Sequence, residues 1–247
     1  MSIPSLTIDE MIATINRSSL PVVAVEGQMD AGVLRHLESR IGIVGVLMPC
    51  GGNRSLFALL DRLDEIKNRN IAFLADQDVC CVMGGHKVHP HLVYTWGYSI
   101  ENDIIAGSKI DRLINEECRA AFHAIKRLVV QFFAYELDCA ISDDRPPVLD
   151  VALAEIVDVR QLSFKENVKN SVKILKHDTP MARKIERHFK RLLRGKQLLQ
   201  LYMVFLNRPK TPERISNAML LSCCTELGQN RHLERLARAI QGILQAS

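Results

Sequence analysis

Four short apolar runs, three of them separated by segments of helical periodicity, constrain this 247-residue chain more than any other feature. Val22–Val25, Ile41–Met48, Ile71–Ala75 and Leu92–Thr95 are rich in β-branched and other apolar residues. Val22–Val25 is continuous rather than alternating, the pattern of a parallel strand buried on both faces. Between the runs, apolar residues recur at steps of three and four: Val33, Leu34 and Leu37 within about Asp30–Arg40, then Leu56, Leu59, Leu60 and Leu63 within Ser55–Lys67. Thr7–Arg17 has the same spacing at Ile8, Met11, Ile12 and Ile15 before Pro21 breaks it. Strands alternating with helices predict an α/β fold, a parallel sheet flanked by helices.

After Asp111 the strand signals fade. Leu113–Ile141 reads as one long or broken helix stopped at Ser142–Pro147, and Leu149–Val159 is ambiguous. Asn167–Lys176 and Met181–Leu206 have helical spacing, the second interrupted by Gly195, and Thr211–Pro212 has the form of a helix start. A last helix is expected over His232–Leu244, with Leu233, Leu236, Ala237 and Ile240 inward. The expected organisation is an α/β core with an N-terminal helix over 1–111 and a mainly helical, basic region over 112–247.

Charge separates the two parts. Residues 1–150 carry 14 Lys/Arg against 20 Asp/Glu, whereas residues 151–247 carry 18 against 8. A polyanionic partner for the second part follows from that asymmetry. Arg183, Arg187, Lys190, Arg191 and Arg194 follow helical spacing and predict one basic stripe, a track for a nucleic-acid backbone. Aromatic residues are only 5% of the chain, which argues against a platform for stacking single strands. No run of about 18 apolar residues predicts a membrane span, and the acidic start lacks the form of a signal peptide. Seven cysteines without a CxxC spacing fit a reducing compartment, so the expected location is the cytoplasm.

The first part concentrates carboxylates at the ends of its strands. Glu26-Gly27 closes the first apolar run, Asp76-Gln77-Asp78 closes the third, and Glu101 lies in Tyr98-Ser99-Ile100-Glu101-Asn102. Open parallel sheets bind ligands outside the carboxyl ends of their strands. Clustered acids repel one another and call for a compensating cation, with hard oxygen donors favouring Mg²⁺ or Mn²⁺. Asp30 is also an acid, but at a helix start where acids are favoured anyway. Gly51-Gly52-Asn53 reads as a structural turn, and His86, His89 and His91 as an exposed loop rather than a zinc site.

This order of an apolar strand ending in Glu-Gly, a helix, a strand, a helix and an apolar strand ending in Asp-x-Asp resembles a Toprim domain, over roughly 21–111. The resemblance implies a Toprim-like (Rossmannoid) sheet, Glu26 as general acid/base, and Asp76 and Asp78 as ligands of Mg²⁺, with Mn²⁺ as an alternative. The Tyr98–Asn102 stretch is similar to the OLD-related branch of Toprim nucleases, which implies that Glu101 completes the metal site and that Glu26 can share it. Gly195-Lys196, followed by Leu198–Leu199, resembles a Gly-Lys element of that branch and implies a contact of Lys196 with the scissile phosphate. Within the branch the chain most resembles the AriB-type effectors of PARIS anti-phage systems. That implies a toxic endonuclease cutting RNA, with tRNA a plausible substrate, an ABC-type ATPase partner (AriA-like), and a homodimer as a possible active form.

Two other readings fit parts of the sequence. A haloacid-dehalogenase-like phosphatase would use Asp76 as nucleophile and Asp78 as acid/base, but its motif belongs on a first strand and leaves Glu26 without a role. A non-catalytic subunit would bind nucleic acid or a partner through the basic helices alone. No nucleophilic tyrosine of the topoisomerase kind is identifiable among Tyr94, Tyr98, Tyr135 and Tyr202, so water is the simpler attacking group.

Overall fold

The computed structural model describes residues 6–41, 45–169, 178–207, 214–226 and 230–246. The chain divides into two compact units, one formed by Met1–Gly107 with Gln229–Ser247 and the other by Ser108–Gly228.

The first unit is built on a four-stranded parallel sheet of order β2-β1-β3-β4, with β1 at Val22–Val25, β2 at Val46–Pro49, β3 at Ile71–Ala75 and β4 at Leu92–Tyr94. β1 and β3 are direct neighbours, with Val22 opposite Ile71 and Val25 opposite Leu74. Every residue of these two central strands is buried, which explains why they read as continuous apolar runs. β2 starts later than expected, at Val46, and Ile41 belongs to α2 (Gln28–Ile41). α1 (Ile8–Arg17) starts at a capping box in which Thr7 and Glu10 bond each other reciprocally.

Alternate strand residues separate the two faces of the sheet. Val22, Ala24, Ile71, Phe73 and Ala75 join Met11, Ile15, Leu56 and Leu59 of α1 and α3 (Asn53–Asp61) in one core. The helix Arg231–Ala246 packs with β3, β4, α2 and α5 (Ile100–Gly107). It was expected in the helical region, yet it falls within the sheet-bearing unit. Its inward residues, Leu233, Leu236, Ala237 and Ile240, are those the periodicity picked out. Asn230 secures its start: its Nδ2 donates to the carbonyls of Asp103 (3.0 Å) and Ile104 (3.2 Å), and its Oδ1 accepts from the His232 N–H (3.1 Å). The indole of Trp96 stacks on His232 with ring centroids 3.9 Å apart.

The second unit is organised by α6, Glu116–Ser142, which packs with the helices Pro180–Arg187 and Gly195–Leu206. Phe122, Ile125, Val129, Phe133 and Leu137 of α6 are buried, as are Leu198 and Tyr202. Leu149–Val159, ambiguous in the sequence, becomes a single helical turn at Leu153–Ile156 leading into a two-stranded antiparallel ladder of Val157–Asp158 with Ser163–Phe164. Such short strands carry too few residues for a period to show. Most of Asn167–Lys176, and all of Thr211–Pro212, lie outside the described residues. No helix among the described residues is long and apolar enough to cross a membrane.

Gly107 supplies a test of how the closing helix is attached. A Cβ at that position would stand 2.1 Å from Cγ and Oδ1 of Asn230, a side chain held by its bonds to Asp103 and Ile104. Gly107→Ala is therefore expected to destabilise the unit by roughly 1–3 kcal/mol through overpacking. Chemical denaturation checks this, and an unchanged midpoint would contradict the packing described.

Candidate active site

Glu26 follows the last residue of β1, and Asp76 follows the last residue of β3. Parallel pairing of these neighbours starts both side chains from one rim. The Asp76 N–H donates to Glu26 Oε1 at 2.9 Å, and Asn53 Nδ2 donates to the same oxygen at 3.1 Å. The Gly51-Gly52-Asn53 turn also passes the Gly52 N–H to the Glu26 carbonyl (2.8 Å). Gly51 and Gly52 have φ of 83° and 127°, a region that suits glycine, so the turn can fold back and bring Asn53 onto Glu26. Asn53 was missed as a site residue, although its turn stood out in the sequence.

The Asp76–Asp78 turn is tied to the segment after β4. Asp76 Oδ1 accepts from the N–H of Ile100 (3.1 Å), the first residue of α5, where a carboxylate is favoured by the unpaired amides of the helix start. Asp78 has φ of 48°, left-handed, and its N–H donates to the Tyr98 carbonyl at 2.8 Å. Gln77, between them, donates its backbone N–H to Thr95 Oγ1 (3.1 Å) and its side-chain amide to the carbonyls of Thr95 and Trp96. Ser99 and Asn102 cap α5: the Ser99 N–H donates to Asn102 Oδ1 at 3.0 Å, and the Asn102 N–H to the Ser99 carbonyl at 3.0 Å. Glu101 takes no part in these two bonds, and its Oε2 accepts from Ser99 Oγ at 2.5 Å.

The acids act on each other. Burial raises the Glu26 carboxyl from 4.5 to about 7, aided by the charges of Asp78 and Asp30 and opposed by the bonds from Asp76 and Asn53. Asp30 is raised from 3.8 to about 6 by burial and by the charge of Glu101, against the bond from the Gly27 N–H (2.7 Å). Asp76 is raised well above its ordinary range by burial, then by Asp30, Glu101, Glu26 and Asp78. Asp30, an acid the sequence left ambiguous at a helix start, therefore belongs electrostatically to the cluster. Burial also pushes the Cys50 thiol up to about 12, with Glu26 adding to it, so Cys50 is no thiolate nucleophile.

Among the described residues, no group of three or more His, Cys, Asp or Glu is arranged to hold a metal ion. The donor set itself has the chemistry of a hard-cation site: oxygen ligands whose strongest electrostatic neighbours are other carboxylates. One oxygen of Glu26 and one of Asp76 are engaged by backbone N–H groups, which fix the orientation of each carboxylate. His91 Nδ1 is paired with the Ile71 carbonyl at 2.8 Å, and His86 Nε2 lies 3.2 Å from Gln77 Oε1.

No protein-family model matches the chain, and no curated protein matches it.

The residues expected to contact nucleic acid or its phosphate belong to the helical unit, described by itself. The single stripe predicted for 183–194 is not one helix. Pro180–Arg187 ends at His188, Phe189–Leu192 follows as a separate turn, and Arg194 is the cap before Gly195–Leu206. A break at His188, with φ of −120°, interrupts the 3.6-residue period on which the stripe was read. Arg183 and Arg187 are exposed, and Arg183 pairs with Asp178 at 3.1 Å. Lys190 is paired with Asp111, whose other oxygen accepts from the Tyr202 hydroxyl at 2.6 Å. Arg194 pairs with Asp150 (2.8 Å) and donates to the Leu149 carbonyl (3.1 Å), while Arg191 is half-buried. Lys196 is exposed in the first turn of its helix, and its charge helps hold the Asp150 carboxyl below the usual range, after Arg194.

A pH dependence follows from the raised carboxyls. The folded chain keeps protons on Glu26 and Asp30 where the unfolded chain has released them, so their effect on stability is nil below about pH 4 and increasingly unfavourable as pH rises through about 7. In metal-free buffer, Glu26→Gln is expected to melt higher than the parent by about 2–6 °C at pH 8, with the gap shrinking toward zero near pH 4. Paired melting curves across that range decide it, and a gap independent of pH would count against the buried-acid arrangement.

Proposed function

We propose that this chain is a metal-dependent phosphodiester hydrolase of the Toprim type, a nuclease. The observation that carries the reading is the meeting of Glu26 with the Asp76 N–H at one rim, with Asp30, Asp78 and Glu101 acting on the same group. Asp76, Asp78 and Glu101 would hold Mg²⁺ or Mn²⁺, and Glu26 would share it or act beside it. The ion, when bound, would supply Lewis-acid stabilisation of phosphoryl oxygens and lower the pKa of a bound water.

The chain's own groups would do the rest. Asp76 and Asn53 hold Glu26 through Oε1, so Oε2 is the atom to take or return a proton. Its protonation near neutral pH suits general acid/base work. The bonds that the Asp76–Asp78 turn donates to Thr95, Trp96 and Tyr98 would hold the acids in place before substrate arrives.

The finer reading rests on the family resemblance. It would make the chain a cytoplasmic, toxic anti-phage effector that cuts RNA, with tRNA a candidate substrate, an ABC-type ATPase restraining it and a homodimer a candidate active form. Arg183 and Arg187 are the better candidates for a nucleic-acid backbone, since both are exposed whereas Lys190, Arg191 and Arg194 are partly buried. A phosphatase using Asp76 as nucleophile is less favoured, because Asp76 follows the third strand rather than the first and Glu26 is bonded to its N–H.

Incubating labelled RNA and DNA with the full chain and millimolar Mg²⁺ tests the proposal. Cleavage by the parent is expected to fall at least about 100-fold in Glu26→Gln and in Asp76→Asn, while circular dichroism stays unchanged. Cleavage undiminished in both variants would remove the acid cluster from the chemistry. A Lys196→Ala chain tests the phosphate assignment by the same rate.

A further inference from the structure

Beside the acids lies a cleft of about 320 Å³ whose lining includes Asn53, Asp76 and Asp78 together with Phe57, His86, Lys87 and Tyr94. His86 and Lys87 belong to the segment between the short helix Cys80–Met83 and β4. Gly84 and Gly85 have φ of 81° and 89°, and these left-handed turns fold the loop back over the strand ends. His86 meets the Tyr94 ring edge-on, with centroids 4.9 Å apart, and its Nε2 is held by Gln77, the central residue of Asp76-Gln77-Asp78. The Tyr94 hydroxyl donates to the Lys87 carbonyl at 3.1 Å, fixing the loop to the sheet. Lys87 is paired with Asp61 and sits over the Phe57 ring, 5.7 Å from its centroid. The chain has few aromatic residues, yet three rings gather here beside the carboxylates.

We propose that this cleft is a subsite for one unpaired nucleotide, its base against Tyr94, His86 and Phe57 and its phosphate toward the Asp76–Asp78 turn. The proposal rests on the nuclease reading and adds a substrate requirement to it. The volume lies at the lower end of the range for small-molecule pockets, about 300–1,000 Å³, which gives room for one nucleoside. The lining offers a partner to each part of a nucleotide: the rings of Phe57, His86 and Tyr94 for the base, and Asp76 and Asp78, acids that would suit a cation, for the phosphate. The preferred substrate is therefore a loop, bulge or end rather than an uninterrupted duplex.

The test compares binding of adenosine 5′-monophosphate, cytidine 5′-monophosphate and ribose 5-phosphate to the full chain in Mg²⁺ by calorimetry, with polymer cleavage assayed in parallel. Both nucleotides are expected to bind roughly tenfold or more tightly than the baseless sugar phosphate. His86→Ala should reduce that preference severalfold. Val88→Ser, on the same loop but 92% exposed, should preserve it. Equal binding of the three ligands, no binding of any, or a preference untouched in His86→Ala overturns the subsite. Cleavage of RNA or DNA without nucleotide preference sinks the subsite and leaves the nuclease reading standing. Nucleotide preference without cleavage of any polymer supports the subsite and removes the nuclease reading.

Discussion

Parallel pairing of β1 with β3 is the constraint on which the candidate site depends. The two strands run side by side in register, so the residue after each must emerge at the same rim. Glu26 and Asp76 are 50 positions apart in the chain, yet one N–H of the second bonds the carboxylate of the first. Both strands are buried on both faces, and a slip in register would cost the core as well as the site.

That arrangement sets the site against the stability of its own unit. Burial and mutual charge raise Glu26, Asp30 and Asp76 above their ordinary values, which disfavours the ionised fold. The surrounding polar bonds offset part of this: the Asp76 N–H and Asn53 amide on Glu26, the Gly27 N–H on Asp30 and the Ile100 N–H at the start of α5 on Asp76. A divalent cation would offset more. Strain of this kind gathers where function needs it, and the left-handed Asp78 belongs to the same pattern.

The helical unit obeys a different logic. Its excess of basic residues is real, but individual side chains are drawn into the fold. Asp111 engages both Lys190 and the buried Tyr202, and Asp150 engages Arg194. Net charge speaks to the partner a surface attracts, whereas ion pairs within the unit decide which cations remain exposed. Among the basic residues singled out over 183–196, Arg183, Arg187 and Lys196 are the exposed ones, on helices separated by the break at His188.

The sequence by itself determined the α/β class, the four strand positions within a few residues and the acids at the ends of β1 and β3. Those features follow from local period and from the rule that parallel strands expose their carboxyl ends together. Tertiary structure decided the rest. It alone placed the helix Arg231–Ala246 on the sheet, because an amphipathic helix announces an apolar face but not the surface that covers it. Asn53 joined the acids through the folding back of its glycine turn, and Asp30 through its place in the first turn of α2, where its carboxylate accepts the Gly27 N–H. The ring-lined cleft was hidden because Phe57, His86 and Tyr94 are scattered in sequence and meet only when a glycine turn lays the loop over the strand ends.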